Sequence, residues 1–538
     1  MRIFTLDTTL RAGALGDGAS FSIEEKLLIA QKLDALGIDY IEGGWGSPGT
    51  RDEEFFRRAR NLRFRHAHLT AFGCVRGAWT PVENDSAVRC LVVAGTPTVT
   101  LGASCWGLHV LEALRMTEKE NLRVISETVR FLKAQGREVI LDAEHFFDGY
   151  RANTGFAMRT LEAAKSAGAD VLCLCDSNGE TVTELLAEIC TEVRKRFDGV
   201  LGIQTHNDAD LAVASTLAAI DRGFTHVQGS MNGYGERCGN ANLCSLIPDL
   251  ELKLGHTTVG RENLHHLTAV ARLVADYANL PMRSDQPYVG RSAFLREAGC
   301  QLGTVLKDPV TSERTQPEDV GNRARVVWDD LSDTGSIFHL LGLSRLAGVL
   351  TSQAQREFLD RVQEMERDGY ELETAGGTLE LLARQAAEPG LRFFDLAGFE
   401  VTTKMTSRAQ TVTTAKVTVQ VQNASYSATA KGTGPLHALD LCLRAALATF
   451  YPQIAGVRLT DYRVRVLEPN KGTAAKVRVA IEWAGGHRRW VTAGVSENVI
   501  EASWRALVDA IRLELMRLNE QQHGTLAEAL VEDYSWGV

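Results

Sequence analysis

The segment that decides the fold class is Val171-Leu-Cys-Leu-Cys-Asp-Ser-Asn178, an apolar run that ends in three polar residues. A short apolar run bounded in this way is typical of a buried strand in a parallel sheet. Amphipathic stretches separate it from similar runs on both sides. The full set is Ile3–Leu6, Tyr40–Ile41, Leu69–Phe72, Thr98–Leu101, Val139–Leu141, Val171–Leu174, Leu201–Ile203 and the neighbourhood of Val227. Eight successive strand and helix units predict a (β/α)8 TIM barrel.

The stretches between these runs carry helix boundary signals. Ile23–Leu36 has apolar residues at helical spacing, with Ser22 as a candidate N-cap and Gly37 directly after its end. Serine at the N-cap and glycine after the last turn are the residues that helix termini prefer. Further helices that end next to a glycine are predicted at Asn121–Gln135, Leu161–Ala167 and Leu211–Asp221.

The pattern changes after the barrel. Residues 266–394 are predicted to form a helical linker with irregular segments. Beyond them, apolar residues alternate with period two, which is typical of half-buried strands. Strands are predicted at Thr411–Gln422, Ser425–Lys431, Arg458–Leu467 and Ala475–Trp483, and helices at Leu436–Phe450 and Asn498–Leu518. The predicted domains are therefore a barrel at 1–265, the linker at 266–394, a regulatory-type α+β domain at 395–518 and a tail at 519–538.

Composition limits the function classes. The 538 residues are 44% hydrophobic and 23% charged, which is typical of a globular chain, and the formal net charge is −10. An acidic balance argues against nucleic acid as a partner. The sequence has no apolar run of about 18 residues, so no membrane helix is predicted. The ten cysteines form no CxxC pair. We therefore expect a reduced, cytoplasmic protein without nucleic-acid or membrane partners.

The active site of a (β/α)8 barrel lies at the carboxyl ends of its strands. Many polar residues follow the predicted strands at that end, so the sequence predicts a site at the barrel mouth. These residues are Asp7, Arg11, Glu42, Glu144, His145, Asp176, Ser177, Asn178, Gln204, His206 and Asn240.

Several roles stay open at this point. Arg11 can bind a carboxylate or an oxyanion bidentately, or it can form a structural ion pair with Asp7 or Glu144. Glu144 and His145 can act as an acid–base pair or as a structural hydrogen-bonded pair. His206 can be a general base or a packed loop residue. Cysteines at positions 105, 238 and 300 also fall near the predicted mouth, where we expect inert thiols.

Five barrel motifs resemble the citramalate synthase branch of the isopropylmalate/homocitrate synthase family. They are Asp7-Thr-Thr-Leu-Arg11, Tyr40-Ile-Glu-Gly-Gly-Trp45, Asp142-Ala-Glu-His-Phe-Phe-Asp-Gly149, His206-Asn-Asp208 and Asn232-Gly-Tyr-Gly-Glu-Arg-Cys-Gly-Asn-Ala241. The resemblance continues through Tyr288–Phe294, Val305–Pro309 and Gly494-Val-Ser-Glu-Asn498. It implies a Claisen-type condensation of an acyl-CoA with a 2-oxo acid, followed by thioester hydrolysis. It also implies a divalent metal on the 2-oxo acid, Arg11 as the stabiliser of the alkoxide, and a homodimer.

The sequence departs from this family at the positions that handle metal and protons. The metal-binding carboxylate of the family is here Ala12, a nearby amide is Leu15, and the metal-binding His-x-His is Gln204-Thr205-His206. Only His206 and Asn240 remain as candidate ligands, so no ordinary metal site is expected. Replacements continue at Ser104-Cys105-Trp106-Gly107, at Ala298-Gly-Cys-Gln301 and at Thr311-Ser312-Glu313-Arg314. A glutamine at position 301 cannot exchange a proton as a histidine does.

Three functions fit these observations. The first is a divergent enzyme of specialised metabolism that acts on a small carboxylate or its acyl-CoA thioester by metal-independent chemistry. Its predicted catalytic residues are Arg11, Glu144 and His206, and its predicted substrate-binding residues are Asp7, His145, Ser177, Gln204, Asn240, Gln301, Ser312 and Arg314. The second is a metal-dependent citramalate synthase with an unusual metal shell. The third is a non-catalytic regulatory or partner paralogue. Acyl-CoA is an expected substrate, and no cofactor is predicted.

Overall fold

The computed structural model describes residues 1–16, 18–46, 50–297, 315–323, 325–327, 350–372, 374–405, 411–422, 424–485 and 488–523. They belong to two compact units. The residues of the first lie within Met1–Leu295 and Pro309–Arg325, and those of the second within Arg296–Asp308 and Val326–Val538. No helix in these described ranges is long and apolar enough to cross a membrane.

The first unit is a closed parallel barrel, which confirms the predicted fold. Each strand pairs with the next, and the last pairs with the first, so the barrel has no open edge. The strands are β1 Phe4–Asp7, β2 Tyr40–Trp45, β3 His68–Cys74, β4 Thr98–Ser104, β5 Glu138–Glu144, β6 Val171–Asp176, β7 Val200–Thr205 and β8 His226–Gly229.

Helices follow the strands around the barrel. They are α1 Ile23–Leu36, α2 Arg51–Ala59, α3 Ser86–Ala94, α4 Gly107–Glu112, α5 Glu118–Ala134, α6 Phe146–Ala167, α7 Thr183–Arg196, α8 Ala212–Asp221, α9 Leu243–Pro248 and α10 Leu267–Tyr277. The predicted ends of α1 are confirmed, because Ser22 forms a capping box and Gly37 is left-handed. Helix α6 is longer than predicted. Only its last turns, Leu161–Ala167, were predicted from the apolar pattern. The backbone is non-helical at Asn153, within the part that was not predicted.

Apolar side chains pack on both faces of the barrel sheet. The outer layer joins the strands to the helices. The smaller inner cluster contains Leu6, Ile140, Val171, Cys173 and Cys175. Inward-facing side chains of this kind fill a TIM barrel. The polar residues that follow the apolar runs therefore lie at the carboxyl ends of the strands, at the mouth of a barrel whose interior is packed.

The second unit is an α+β domain, as predicted, preceded by helices. Helices α11 Ser352–Arg367 and α12 Gly376–Ala387 come first, after the short strands β9 Leu295–Glu297 and β10 Arg325–Val327. Two antiparallel three-stranded sheets follow, each with one long helix packed against it. The first contains β11 Asp395–Met405, β12 Thr411–Val421, β13 Ala424–Gly432 and helix α13 Pro435–Leu447; the second contains β14 Arg458–Val466, β15 Val477–Gly485, β16 Arg488–Ser496 and helix α14 Val499–His523.

The structure corrects three predictions in this unit. Strand β11 was not predicted because it is an edge strand whose residues are mostly exposed, so it lacks a clear alternation. Strand β16 was not predicted because most of its residues are buried beneath α14. Helix α14 continues to His523, past its predicted end at Leu518.

Candidate active site

Arg11 is the central cation at the barrel mouth. Its Nε donates to Glu42 Oε2 at 2.6 Å, and its Cζ lies 3.9 Å from the centre of the Phe72 ring. The Arg11 side chain is 12% exposed, whereas Glu42 is fully buried. No described residue accepts a hydrogen bond from the two Nη groups of Arg11. The guanidinium is therefore held by one edge and one face, and its outer edge is free to bind an anion.

The ion pair of Arg11 differs from the one considered from the sequence. We expected Asp7 or Glu144 as the structural partner, but Glu42 in β2 takes that position. Burial opposes the charge on Arg11, yet the neighbouring carboxylates of Glu42, Asp142 and Glu144 together raise its pKa. Arg11 is therefore permanently charged within a ring of acids.

No hydrogen bond or ion pair joins Glu144 to His145 in the described part of the chain, and each contacts different neighbours. Glu144 Oε1 lies against Gly102, where a Cβ would come within 2.8 Å of it. Burial raises the pKa of Glu144, and the charge of Arg11 opposes that rise. His145 instead adopts a left-handed backbone with φ 53°, and its Nδ1 lies 3.7 Å from Asp148 Oδ2.

The His145 region forms part of the rim. The His145 ring packs edge-on against His109, with centroids 4.3 Å apart. The backbone N–H of His145 donates to Ser177 Oγ at 2.9 Å. The backbone carbonyl of Ser177 in turn accepts from Arg237 Nη2 at 2.7 Å. These contacts give His145 and Ser177 a place in the scaffold that joins neighbouring loops.

Asp7 closes the turn that leads from β1 to Arg11. Its carboxylate is fully buried and accepts from the Thr9 N–H at 3.0 Å and from Thr9 Oγ1 at 2.9 Å. Thr9 Oγ1 also accepts from the Met231 N–H at 2.8 Å, which ties this turn to the loop after β8. Burial raises the pKa of Asp7 to about 7. With no exposed surface, Asp7 is placed to position Arg11 rather than to contact a substrate.

His206 and Asn240 lie side by side, joined by a backbone bridge. Asn240 Nδ2 donates to Thr8 Oγ1 at 3.4 Å. His206 Nδ1 and Asn240 Oδ1 are buried and have no hydrogen-bond partner within the described ranges. Burial, together with the charge of Arg237, lowers the pKa of His206 to about 4. The imidazole is therefore neutral at neutral pH and is a weak base.

The loop after β8 is braced from outside the barrel. Arg237 forms two hydrogen bonds to the Asp208 carboxylate, at 2.8 and 2.9 Å. Gly239 has φ 90°, and a Cβ there would lie 2.0 Å from the Gly233 carbonyl oxygen. Only glycine fits this close approach. The loop is thereby fixed so that Asn240 points into the barrel while Glu236 stays exposed.

The four positions that the resemblance assigns to a divalent metal do not fit one. Ala12 is buried and carries no donor atom. Gln204 offers a neutral amide, as Asn240 does, and His206 offers a single imidazole. Hard divalent cations are held mainly by carboxylate oxygens, and this set of four side chains contains none. These four side chains therefore supply only neutral donors.

Comparison with known proteins identifies the family. A family model described as HMGL-like matches residues 2–274, slightly more than half of the chain. The chain belongs to the HMGL-like family. A second model, the LeuA allosteric (dimerisation) domain, matches residues 373–514. The predicted relation to the isopropylmalate/homocitrate synthase family is thereby confirmed for both ends of this HMGL-like chain.

Full-length relatives place the chain in the citramalate synthase branch. The (R)-citramalate synthase of Aquifex aeolicus is 44% identical over 522 residues, which cover 97% of this chain and 99% of that protein. The (R)-citramalate synthase of Synechocystis is 43% identical over 533 residues, with 96% of each chain covered. Among solved structures, the HMG-CoA lyase of Bacillus subtilis matches with a TM-score of 0.46 and 18% identity, over 53% of this chain and 96% of that chain.

Sequence reasoning did not assign Asp142 to the site of this HMGL-like barrel. Gln228 Nε2 donates to Asp142 Oδ1 at 2.7 Å in the barrel interior. Asp142 begins one of the family motifs and lies two residues before Glu144, so strand alternation places both on the inward face. Gln301, Ser312 and Arg314, which we predicted to bind substrate, lie outside the described residues, as does Cys300.

Proposed function

We propose that the barrel catalyses a synthase-type reaction on a small carboxylate or its acyl-CoA thioester, in which Arg11 rather than a tightly bound divalent metal stabilises the oxyanion. The observation that carries this proposal is the fixed guanidinium. Glu42 and Phe72 hold Arg11 while its Nη groups have no acceptor among the described residues. Donors fixed in advance where negative charge develops are the strongest common device for stabilising a transition state.

The remaining residues supply the other parts of such a reaction. Glu144 takes the proton from the carbon next to the thioester carbonyl, because of the three carboxylates beside Arg11 it is the one that keeps some solvent exposure. The resulting enolate carbon attacks the carbonyl carbon of the 2-oxo acid. The new alkoxide accepts hydrogen bonds from the Nη groups of Arg11 and takes the proton back from Glu144. Water then cleaves the thioester and releases coenzyme A with a free thiol. His206 is neutral and forms a hydrogen bond in this reaction; it is not the general base.

The relatives support a condensation as the complete reaction, because they are named (R)-citramalate synthase and are similar over almost the whole chain. Their name also supports a second candidate, a metal-dependent synthase with an unusual shell. In its favour, His206 Nδ1 and Asn240 Oδ1 are buried acceptors without partners in the described part of the chain. The replacement of donors by Ala12 and Gln204 supports a third candidate, a non-catalytic paralogue.

One experiment separates these candidates. The protein is incubated in D2O with acetyl-CoA, with and without pyruvate, and with either a chelator or added Mn2+. Deuterium uptake at the acetyl carbon is followed by NMR, and thiol release by a colorimetric reagent. We expect both signals to persist in chelator. Signals that require Mn2+ would support the metal-dependent synthase, and the absence of both under every condition would support the non-catalytic paralogue.

A matched pair of variants tests the role of Arg11. Arg11→Gln should reduce deuterium uptake on the order of 100-fold, the usual effect of removing one oxyanion donor. Arg57→Gln is the control, because Arg57 is exposed on α2 and its ion-pair partner is Glu54. Equal activity of the two variants would contradict the proposal.

We further propose that two copies associate through the C-terminal sheets. The LeuA model that matches this region is described as a dimerisation domain. Strand β14 lies at the edge of its sheet and exposes Leu459, Val464 and Val466. Edges that carry exposed apolar side chains are natural surfaces for pairing. Light scattering should give the mass of a dimer, and Val464→Lys with Val466→Lys should shift it toward the monomer.

A further inference from the structure

A group of metal-ligating side chains lies inside the barrel, deeper than Arg11. Asp142 in β5 and Cys173 and Cys175 in β6 each offer one ligand atom, and these three atoms lie within 4.8 Å of one another. All three residues are at most 2% exposed. None of them belongs to the positions that the family resemblance assigns to metal.

The fold brings these residues together. Cys173 and Cys175 are two residues apart on one strand, so both face the barrel interior. Cys173 is opposite Asp142 on one side and opposite Gly202 on the other. A Cβ at position 202 would lie 3.2 Å from Cys173 Sγ. Glycine at 202 therefore leaves room for a thiol and for an atom bound to it.

Asp142 lacks a direct counter-charge. Its carboxylate accepts a hydrogen bond from the neutral amide of Gln228 and lies within hydrogen-bond reach of the Cys173 thiol, and no described cation lies within ion-pair distance. The nearest guanidinium group that influences it, Arg11, is already paired with Glu42. A buried carboxylate in this position must bind a proton or a cation, because an isolated buried charge is very costly.

Two neighbouring side chains have unused polar atoms. His226 is fully buried, and neither of its ring nitrogens has a partner among the described residues. A Cβ at position 202, which would lie 3.2 Å from Cys173 Sγ, would also lie 2.8 Å from His226 Cδ2, the ring carbon bonded to Nε2. Gln228 Oε1 is likewise buried and unpartnered within that part of the chain. Buried polar groups without partners are rare in native proteins, and here they border the cluster.

We propose that Asp142, Cys173 and Cys175 bind a thiophilic divalent cation of the Zn2+ class, with His226 as the fourth ligand. Two thiolates, one carboxylate and one imidazole are a donor set that zinc accepts in tetrahedral geometry. Two sulfurs on one zinc are about 3.8 Å apart, since each Zn–S bond is about 2.3 Å. The three ligand atoms lie within 4.8 Å of one another and His226 lies outside that group, so the ligands must close in and the His226 ring must turn toward them when the metal binds. Mg2+ and Ca2+ prefer oxygen ligands and would not compete.

Loading the site exchanges protons for the cation. The two thiols and the carboxyl must lose their protons to bind the cation. Binding therefore releases protons, and the apparent affinity rises with pH. The charged groups that face the cluster are Arg11, Glu42 and Glu144. Three anionic ligands and a divalent ion leave one negative charge, which the Arg11 guanidinium faces.

The test uses the full-length protein and the metal alone. Reduced, metal-free protein is titrated with Cd2+ or Co2+, and thiolate-to-metal charge-transfer absorption is recorded. We expect one metal per chain, and competition by Zn2+ but not by Mg2+. Bound metal should also protect the peptide that contains Cys173 and Cys175 from alkylation, as measured by mass spectrometry. Absence of a stoichiometric charge-transfer band in the unmodified chain would overturn the proposal.

Matched cysteine variants locate the metal. Cys173→Ser and Cys175→Ser should each lose the band, whereas Cys190→Ser should keep it, because Cys190 is buried on α7 away from the barrel interior. If a variant fails to fold, the alkylation pattern of the unmodified chain decides, since protection elsewhere would contradict the assignment. This site does not depend on the reaction proposed at Arg11, so each proposal can fail without the other.

Discussion

Asp7 allows a prediction in which stability depends on pH. Its fully buried carboxyl has a pKa of about 7, raised from an ordinary value of 3.8. Folding raises the pKa of this carboxyl, so the folded state binds its proton more tightly than the unfolded state does. The resulting contribution to the free energy of unfolding is complete below the unfolded pKa and is lost as pH rises through the folded pKa. Asp7→Asn keeps the shape of the side chain and removes the titration. The variant should therefore gain stability over the unmodified protein as pH increases.

The size of this effect follows from the pKa shift. A difference of about three pKa units corresponds to about 4 kcal/mol when the whole titration is complete. At pH 5 the pH is only about one unit above the ordinary pKa, so about 1.5 kcal/mol of this difference has been reached. Between pH 5 and pH 8 the titration covers about two further pKa units. The free energy of unfolding of Asp7→Asn, relative to that of the unmodified chain, should therefore rise by about 2 to 3 kcal/mol over this range.

Urea unfolding followed by near-UV circular dichroism measures this difference at both pH values. Ile41→Val is the control, because it shortens a buried apolar side chain and should cost about 1 kcal/mol at either pH. The hydrogen bonds from Thr9 affect the absolute stability of the variant but not its slope with pH. A difference between Asp7→Asn and the unmodified protein that is the same at pH 5 and pH 8 would refute the reasoning.

Three further predictions concern the barrel. Gly202→Ala should destabilise the protein by about 2 kcal/mol in thermal unfolding, because the new Cβ would lie 2.8 Å from His226 Cδ2, whereas Gly155→Ala meets only side-chain atoms at 3.4 Å or more and should be neutral or stabilising. Phe72→Leu removes the ring beneath Arg11 and should raise KM for the carboxylate substrate several-fold with a smaller change in kcat, on the scale of about 1 kcal/mol for a cation–π contact. Ala12→Asp combined with Gln204→His should create Mn2+ binding detectable by calorimetry, and unchanged Mn2+ affinity would show that more of the site has been remodelled.

The barrel could be predicted from the sequence because its determinants are local. The apolar run at Val171–Leu174 is bounded by polar residues, and Ser22 and Gly37 mark the ends of α1 by side-chain chemistry alone. Each of these signals acts within a few residues along the chain. Their repetition eight times then specifies the closed sheet, because parallel strands need helical crossovers.

The partners within the site could not be predicted in the same way. Arg11 and Glu42 are separated by 31 residues and meet only because β1 and β2 are neighbours in the closed sheet. His145 has a left-handed backbone, and its ring packs against His109 and lies near Asp148, which are contacts that the local sequence does not predict. Sequence reasoning therefore found the residues at the mouth and did not find which of them touch.

The charges at the mouth favour a site under functional constraint over one that has simply decayed. Arg11 and Glu42 are almost completely removed from water, and keeping such a pair buried is often no more stable than an apolar pair of the same size. Their presence is therefore not explained by stability alone. A fixed guanidinium with a free outer edge has value where an anion must be bound. Because Ala12 offers no donor atom, the cation held beside Glu42 at the mouth is the guanidinium of Arg11.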